Sequence, residues 1–112
     1  MASAWHHHAL AALERSLFPV PSERNDLDWK SALSENGDKL SQHLSAFSNL
    51  EGGGFMAFGI SNEGEPAPLS REDMEQVVQR LGQIARTGVE PPVELDHTIT
   101  EHRGAPVLFI KI

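Results

Sequence analysis

The segment from Ser45 to Asn62, S-A-F-S-N-L-E-G-G-G-F-M-A-F-G-I-S-N, does most to limit what this chain can become. A helical apolar spacing runs into three consecutive glycines and then directly into an apolar run. Gly52, Gly53 and Gly54 lack a Cβ, so the backbone there can take positive φ and approach another backbone or a phosphate closely. The helix before them carries Leu40, Leu44, Phe47 and Leu50 at i, i+4, i+7 and i+10, with Lys39, Gln42, His43 and Ser45 on its polar face. The near-continuous apolar run Phe55 to Ile60 reads as a strand buried on both faces, near the centre of a sheet.

Outside this segment the pattern alternates between helix and strand. Leu10, Leu13, Leu17 and Phe18 define an amphipathic helix over Ala9 to Phe18, ended by Pro19 and Pro21. His6, His7 and His8 precede it and read as solvated, because adjacent histidines seldom converge on one ion without a further ligand. Leu27 to Lys30 reads as a short strand that puts Asp28 and Lys30 on one face and Leu27 and Trp29 on the other. Ser34 to Asp38 is a turn before the Leu40 helix. Asn62 to Pro68 is a Gly/Pro-rich connection, and Ser70 with Asp73 resembles a capping box opening a third helix. Its buried stripe is Met74, Val77, Val78, Leu81, Ile84 and Ala85, with Gly88 at the C-terminal cap and Pro91 and Pro92 beyond. Val93, Leu95, His97 and Ile99 alternate with polar residues as a strand buried on one face. His102, Arg103 and Gly104 turn the chain, and Val107 to Ile112 returns as an apolar strand. The order implies an α/β (α+β) fold with helices packed on a mixed sheet.

The glycine segment follows E-x-x-x-x-D-x-W-K, formed by Glu23, Asp28, Trp29 and Lys30. Together they resemble the Schlafen-associated AlbA-like domain, a family linked to nucleic-acid binding. Ala46, Phe47, Asn49, Gly52, Gly53, Gly59 and Ile60 fit its A-F-x-N-x-x-G-G and G-V-x-D motifs in order, with a glycine turn one residue longer. The likeness spans about Arg15 to Ile112. It implies an AlbA-like two-layer mixed sheet with two main helices, to which the N-terminal helix is added. Residues 1–14 are then a flexible segment and helix start, and residues 15–112 the AlbA-like domain. The domain is expected to be truncated at its C-terminal end, since Ile112 closes an apolar strand.

The resemblance also implies a site. In the ribonucleases of this family two acids of the first motif and a third after the G-V strand form a three-carboxylate metal centre, at positions matching Glu23, Asp28 and Asn62. Here the third is an amide, a weaker ligand for a hard cation. On spacing alone, a strand-end salt bridge is the simpler reading of Glu23 and Asp28 with Lys30. The expected nucleic-acid contacts are Lys30, Asn49, Gly52, Gly53, Asn62, Arg86 and Arg103. The glycines do not form a P-loop. They follow a helix instead of preceding one, so the helix end facing them carries partial negative charge, and a cap with tight helix-to-strand packing is the simpler reading.

Charge and composition narrow the function. Sixteen acidic residues against nine basic ones give a formal net charge of −7. Attraction by overall charge therefore cannot hold a nucleic acid, and a local cationic patch or bridging metal ions must do so. The chain has no cysteine, which excludes disulfide and thiolate-metal chemistry, and no apolar run is long enough to span a bilayer. The expectation is a cytoplasmic nucleic-acid-binding domain, part of a transcriptional regulator. The alternatives are a metal-dependent endoribonuclease and an acidic protein-interaction module. No cofactor is expected unless the nuclease reading holds, which calls for Mg²⁺ or Mn²⁺. Besides DNA or RNA, the expected partners are a second copy of the chain or a domain C-terminal to it.

Overall fold

The computed structural model describes residues 5–17, 27–31, 37–50, 53–61, 63–89 and 93–112 of the 112-residue chain. Glu23, Gly52 and Asn62 lie outside the described residues, as do Phe18, Pro19, Pro21, Ser34, Pro91 and Pro92, and so do the side chains of His6, Asp38, Lys39 and His43. In chain order the elements are α1 (His6–Leu17), β1 (Leu27–Lys30), α2 (Gly37–Ser48), β2 (Phe55–Phe58), α3 (Arg71–Thr87), β3 (Asp96–His102) and β4 (Ala105–Lys111). The strands form one sheet in the order β1-β2-β4-β3. β1 runs parallel to β2, while β4 is antiparallel to both β2 and β3. This is the expected mixed α/β sheet.

The two central strands are apolar along their length because both faces are covered. On one side Met56, Phe58, Leu108 and Ile110 pack against Leu40, Leu44 and Phe47 of α2 and Met74, Val77, Leu81, Ile84 and Ala85 of α3. On the other, Ala57, Ile60, Val107 and Phe109 pack with Leu27 against Ala9, Ala12, Leu13 and Leu17 of α1. Small residues at positions 9 and 12, both buried, let α1 lie close to the sheet. The helix starts at His6, three residues before its apolar spacing begins, and His7 and His8 are exposed in its first turn.

The capping signals in α3 are realised. The Ser70 hydroxyl accepts from the Asp73 N–H at 3.1 Å, Glu72 and Asp73 sit in the first turn and Arg86 in the last, where each complements the helix dipole. Gly88 caps the C-terminus by donating to the Ile84 carbonyl, but with φ −104, so no left-handed residue is involved. Space explains the glycine: a Cβ there would meet the Ser41 hydroxyl at 2.9 Å.

Several expectations are corrected. Leu50 lies beyond the end of α2 and is 37% exposed, because the helix stops at Ser48 before its next apolar position can turn inward. Phe55 is only partly buried. His102 is not a turn residue: it ends β3, pairs with Ala105, and is buried. The turn is Arg103 and Gly104 alone, at φ 53 and 78. Two consecutive positive values are the signature of a two-residue type I′ hairpin turn. In β3, Ile99 is 54% exposed and Thr98 is buried. Thr98 pairs with Phe109 and so faces α1, whereas Ile99 pairs with Leu108 and faces the α3 side near the sheet edge, where the helix no longer covers it.

Candidate nucleic-acid interface

The strand period places Asp28 and Lys30 side by side on β1, and their charged groups meet at 3.1 Å with side chains 13% and 21% exposed. Both face the α2 and α3 side, since Asp28 pairs with Met56. The other face of β1 carries Trp29, whose indole N–H donates to the Ser61 carbonyl at 3.2 Å. The Lys30 carbonyl accepts from the N–H groups of Gly59 and Ile60 at 2.9 and 3.2 Å. The chain after β2 is therefore fastened to the C-terminal end of β1. Gly59, at φ 111, makes this possible, and a side chain there would press on the Pro106 carbonyl at 3.2 Å.

The connection that follows is compact. Ser61 donates to the Glu65 carbonyl at 2.8 Å, Ala67 donates to the Gly59 carbonyl at 2.7 Å, and Ile60 bridges Pro66. Glu65 lies 4.0 Å from Arg103, and both side chains are largely in solvent. Such an exposed pair holds little energy, so it leaves the guanidinium able to turn to another anion. Because Phe58 pairs with both Lys30 and Leu108, the β3–β4 hairpin tip lies at the end of the sheet where β1 and β2 finish. Lys30 and Arg103 thus share one end of the molecule, with the backbone of residues 59–61 between β1 and the hairpin strand β4.

The remaining expected contacts lie elsewhere. Asn49 is exposed just after α2, and Gly53 precedes β2 at the opposite end of the sheet. Gly53 has φ 73. A Cβ on it would collide with the Ile112 carbonyl, and one on Gly54 with the Phe47 ring. Gly54 and Ile112 also exchange backbone hydrogen bonds at 3.4 and 2.9 Å. The glycines thus let α2 turn tightly into β2 beside the end of β4. Arg86 is exposed in the last turn of α3, its guanidinium lying along Gly82.

Of the acidic set, Asp28 alone falls among the described residues, and its carboxylate is held by the Lys30 ammonium. Among the described residues no group of three His, Asp or Glu side chains is arranged to hold a metal ion.

Three features were not read from the sequence. The Trp5 indole donates to Asp96 at 2.7 Å and its ring stacks on Phe55 at 6.0 Å, joining residues 91 positions apart. That bond and the His97 N–H, with burial opposing, hold the Asp96 carboxyl below its ordinary range. His102 lies under α1 with its Nε2 buried and unpartnered among the described residues. Burial, reinforced by the Arg103 charge and opposed by Glu14, lowers its pKa from 6.5. Beside it, Glu14, Arg15, Glu101 and Arg103 line a cleft of about 580 Å³. A buried histidine carries no periodic signal of its own, which is why it reads as a turn residue.

Comparison with known proteins settles the family. The family model described as "Schlafen, AlbA_2" matches residues 23–112. The chain belongs to the Schlafen AlbA_2 family. A search of curated proteins found no match. Among solved structures, this AlbA_2 domain is similar to the DIP2311 protein from Corynebacterium diphtheriae, with 18% identity and a TM-score of 0.54 over 96% of the chain. The match takes in 26% of DIP2311, so the AlbA_2 chain spans about a quarter of that protein's length. At this identity the likeness speaks for the fold alone. No helix among the described residues is long and apolar enough to cross a membrane.

Proposed function

We propose that this AlbA_2 domain binds nucleic acid at the sheet end that carries Lys30 and Arg103, and does not cleave it. Family membership over residues 23–112 is the observation that carries the reading. The geometry supports it: in a chain of net charge −7, binding needs cations gathered locally, and these two share one end of the sheet. The finer reading is that the domain serves as the recognition part of a cytoplasmic transcriptional regulator.

Cleavage is disfavoured by the donor set. Asp28 already has an ammonium at 3.1 Å, and the position matching the third acid is Asn62, so the sequence supplies two carboxylates, Glu23 and Asp28, where the family's metal centre uses three. A hard cation takes charged oxygen ligands in preference to an amide.

The test is fluorescence anisotropy with short DNA and RNA duplexes and single strands across a salt series. Two phosphate contacts give a log–log salt slope of about −2, and Lys30→Ala brings it to about −1. Absence of binding to any of these probes at low salt would overturn the reading and leave the acidic protein-interaction module. An unchanged slope in Lys30→Ala would remove Lys30 from the interface.

A further inference from the structure

The two edges of the sheet are unlike. β1 is four residues long and carries an ion pair, features that blunt an edge against further pairing. β3 has seven residues, D-H-T-I-T-E-H, with neither proline nor lysine, and Ile99 at its centre is the most exposed large apolar side chain among the described residues. A hydrogen-bonded pair, His102 and Ala105, closes a two-residue hairpin. By alternation Thr100, Thr98 and Asp96 also bond to β4, and His97, Ile99 and Glu101 turn their N–H and C=O groups to the edge, which is open among the described residues. The His97 N–H accords with this direction: it donates to Asp96 Oδ1 at 2.8 Å.

The sequence of this strand reads as its own complement. Set antiparallel to a second copy about Ile99, it opposes Ile99 to Ile99, His97 to Glu101 and Thr98 to Thr100. The N–H groups of Ile99 and Glu101 then meet outward carbonyls, and the His97 N–H does so on leaving Asp96 Oδ1. The two His97–Glu101 pairs flank the isoleucine pair on the α3 side, and threonines pair on the other, a combination that favours cross-strand contact. Beside Ile99 an apolar groove of about 410 Å³, lined by Met74, Val78 and Leu108 among others, lies open at the same edge. A second isoleucine would close its mouth.

We propose that β3 is a self-complementary edge through which two copies of this chain join their sheets, in the antiparallel register centred on Ile99. The occupant is a second copy because imidazole meets carboxylate, and no carboxylate meets its like, only in that reversed register. In a parallel pairing, Glu101 would face Glu101 and His97 would face His97.

Sedimentation equilibrium of the chain, from about 1 μM to about 1 mM, suits an interface of this small size. The mass should rise from the monomer's 12.3 kDa towards twice that value. Ile99→Lys, at an exposed position, should keep the thermal melt of the monomer and abolish association. His97→Glu alone opposes two glutamates twice over and should weaken the dimer by about tenfold or more. Adding Glu101→Lys to it should restore affinity, because residue 97 of one copy then meets the opposite charge at residue 101 of the other. A monomer at every concentration would overturn the proposal. So would a dimer indifferent to Ile99→Lys, or a double variant no tighter than the single one.

Discussion

At Gly53 the backbone is left-handed, and the space a side chain would need belongs to the Ile112 carbonyl. Conformation and crowding therefore act together. Gly53→Val should lower stability by clearly more than about 1 kcal/mol in a denaturant melt, whereas an unchanged melt would mean the turn is loose. His102 makes stability depend on pH. Its pKa is lowered in the folded state relative to 6.5, so between the two values the unfolded chain binds more protons. Stability from this group is then fully present above about pH 6.5 and declines as pH falls below it. A Tm series from pH 8 to pH 5 should show that decline, and His102→Gln, which keeps a polar side chain but does not titrate there, should flatten it. Equal slopes in both proteins would assign the acid sensitivity to other groups.

At the level of elements, the sheet depends most on β2 and β4. Phe58 is fully buried, pairs with Lys30 and Leu108, and packs under α2 and α3. Phe58→Ala should cost about 3 to 5 kcal/mol; a loss well under 1 kcal/mol would mean the ring is not core. β1, β2 and α3 are legible in the sequence because each carries a complete local signal: period two, an unbroken apolar run, or a capped stripe. β3 is only half legible. Alternation gives the period of a strand but not how far a helix reaches across its face, so Ile99 and Thr98 exchange their expected exposure. Trp5 could not be placed at all, because its partners Phe55 and Asp96 are distant in sequence and nothing local marks them. Leu50 fails for a simpler reason: the spacing continues after the helix has stopped.

For the whole molecule, the question is how a chain of net charge −7 holds an anion. The pairing of Asp28 with Lys30 is legible, since neighbours two apart on a strand share a face. That Arg103 joins them at one end follows only from the strand order, which places the hairpin beside β2, and local patterns are silent on that. The same topology sends Asn49 and Gly53 to the far end, so the motif residues do not converge on one spot. The acidic balance also bears on metals. Isothermal titration with Mg²⁺ or Mn²⁺ should show weak or no binding, and incubation with tRNA and either ion should give no cleavage. Asn62→Asp should strengthen metal binding measurably. Cleavage by the unaltered chain, lost on Glu23→Gln, would instead establish the endoribonuclease.

The strand order has one more consequence, for how the chain comes off the ribosome. β4 lies between β2 and β3 yet follows both in sequence. Until residues 105–111 have emerged, the sheet lacks one of its two central strands, β3 has no neighbour, and β2 offers α1, α2 and α3 only part of the surface they cover. Folding is thus deferred to the end of this segment's synthesis, and a ribosome stalled before Ala105 would present an open, aggregation-prone chain for a holding chaperone to bind.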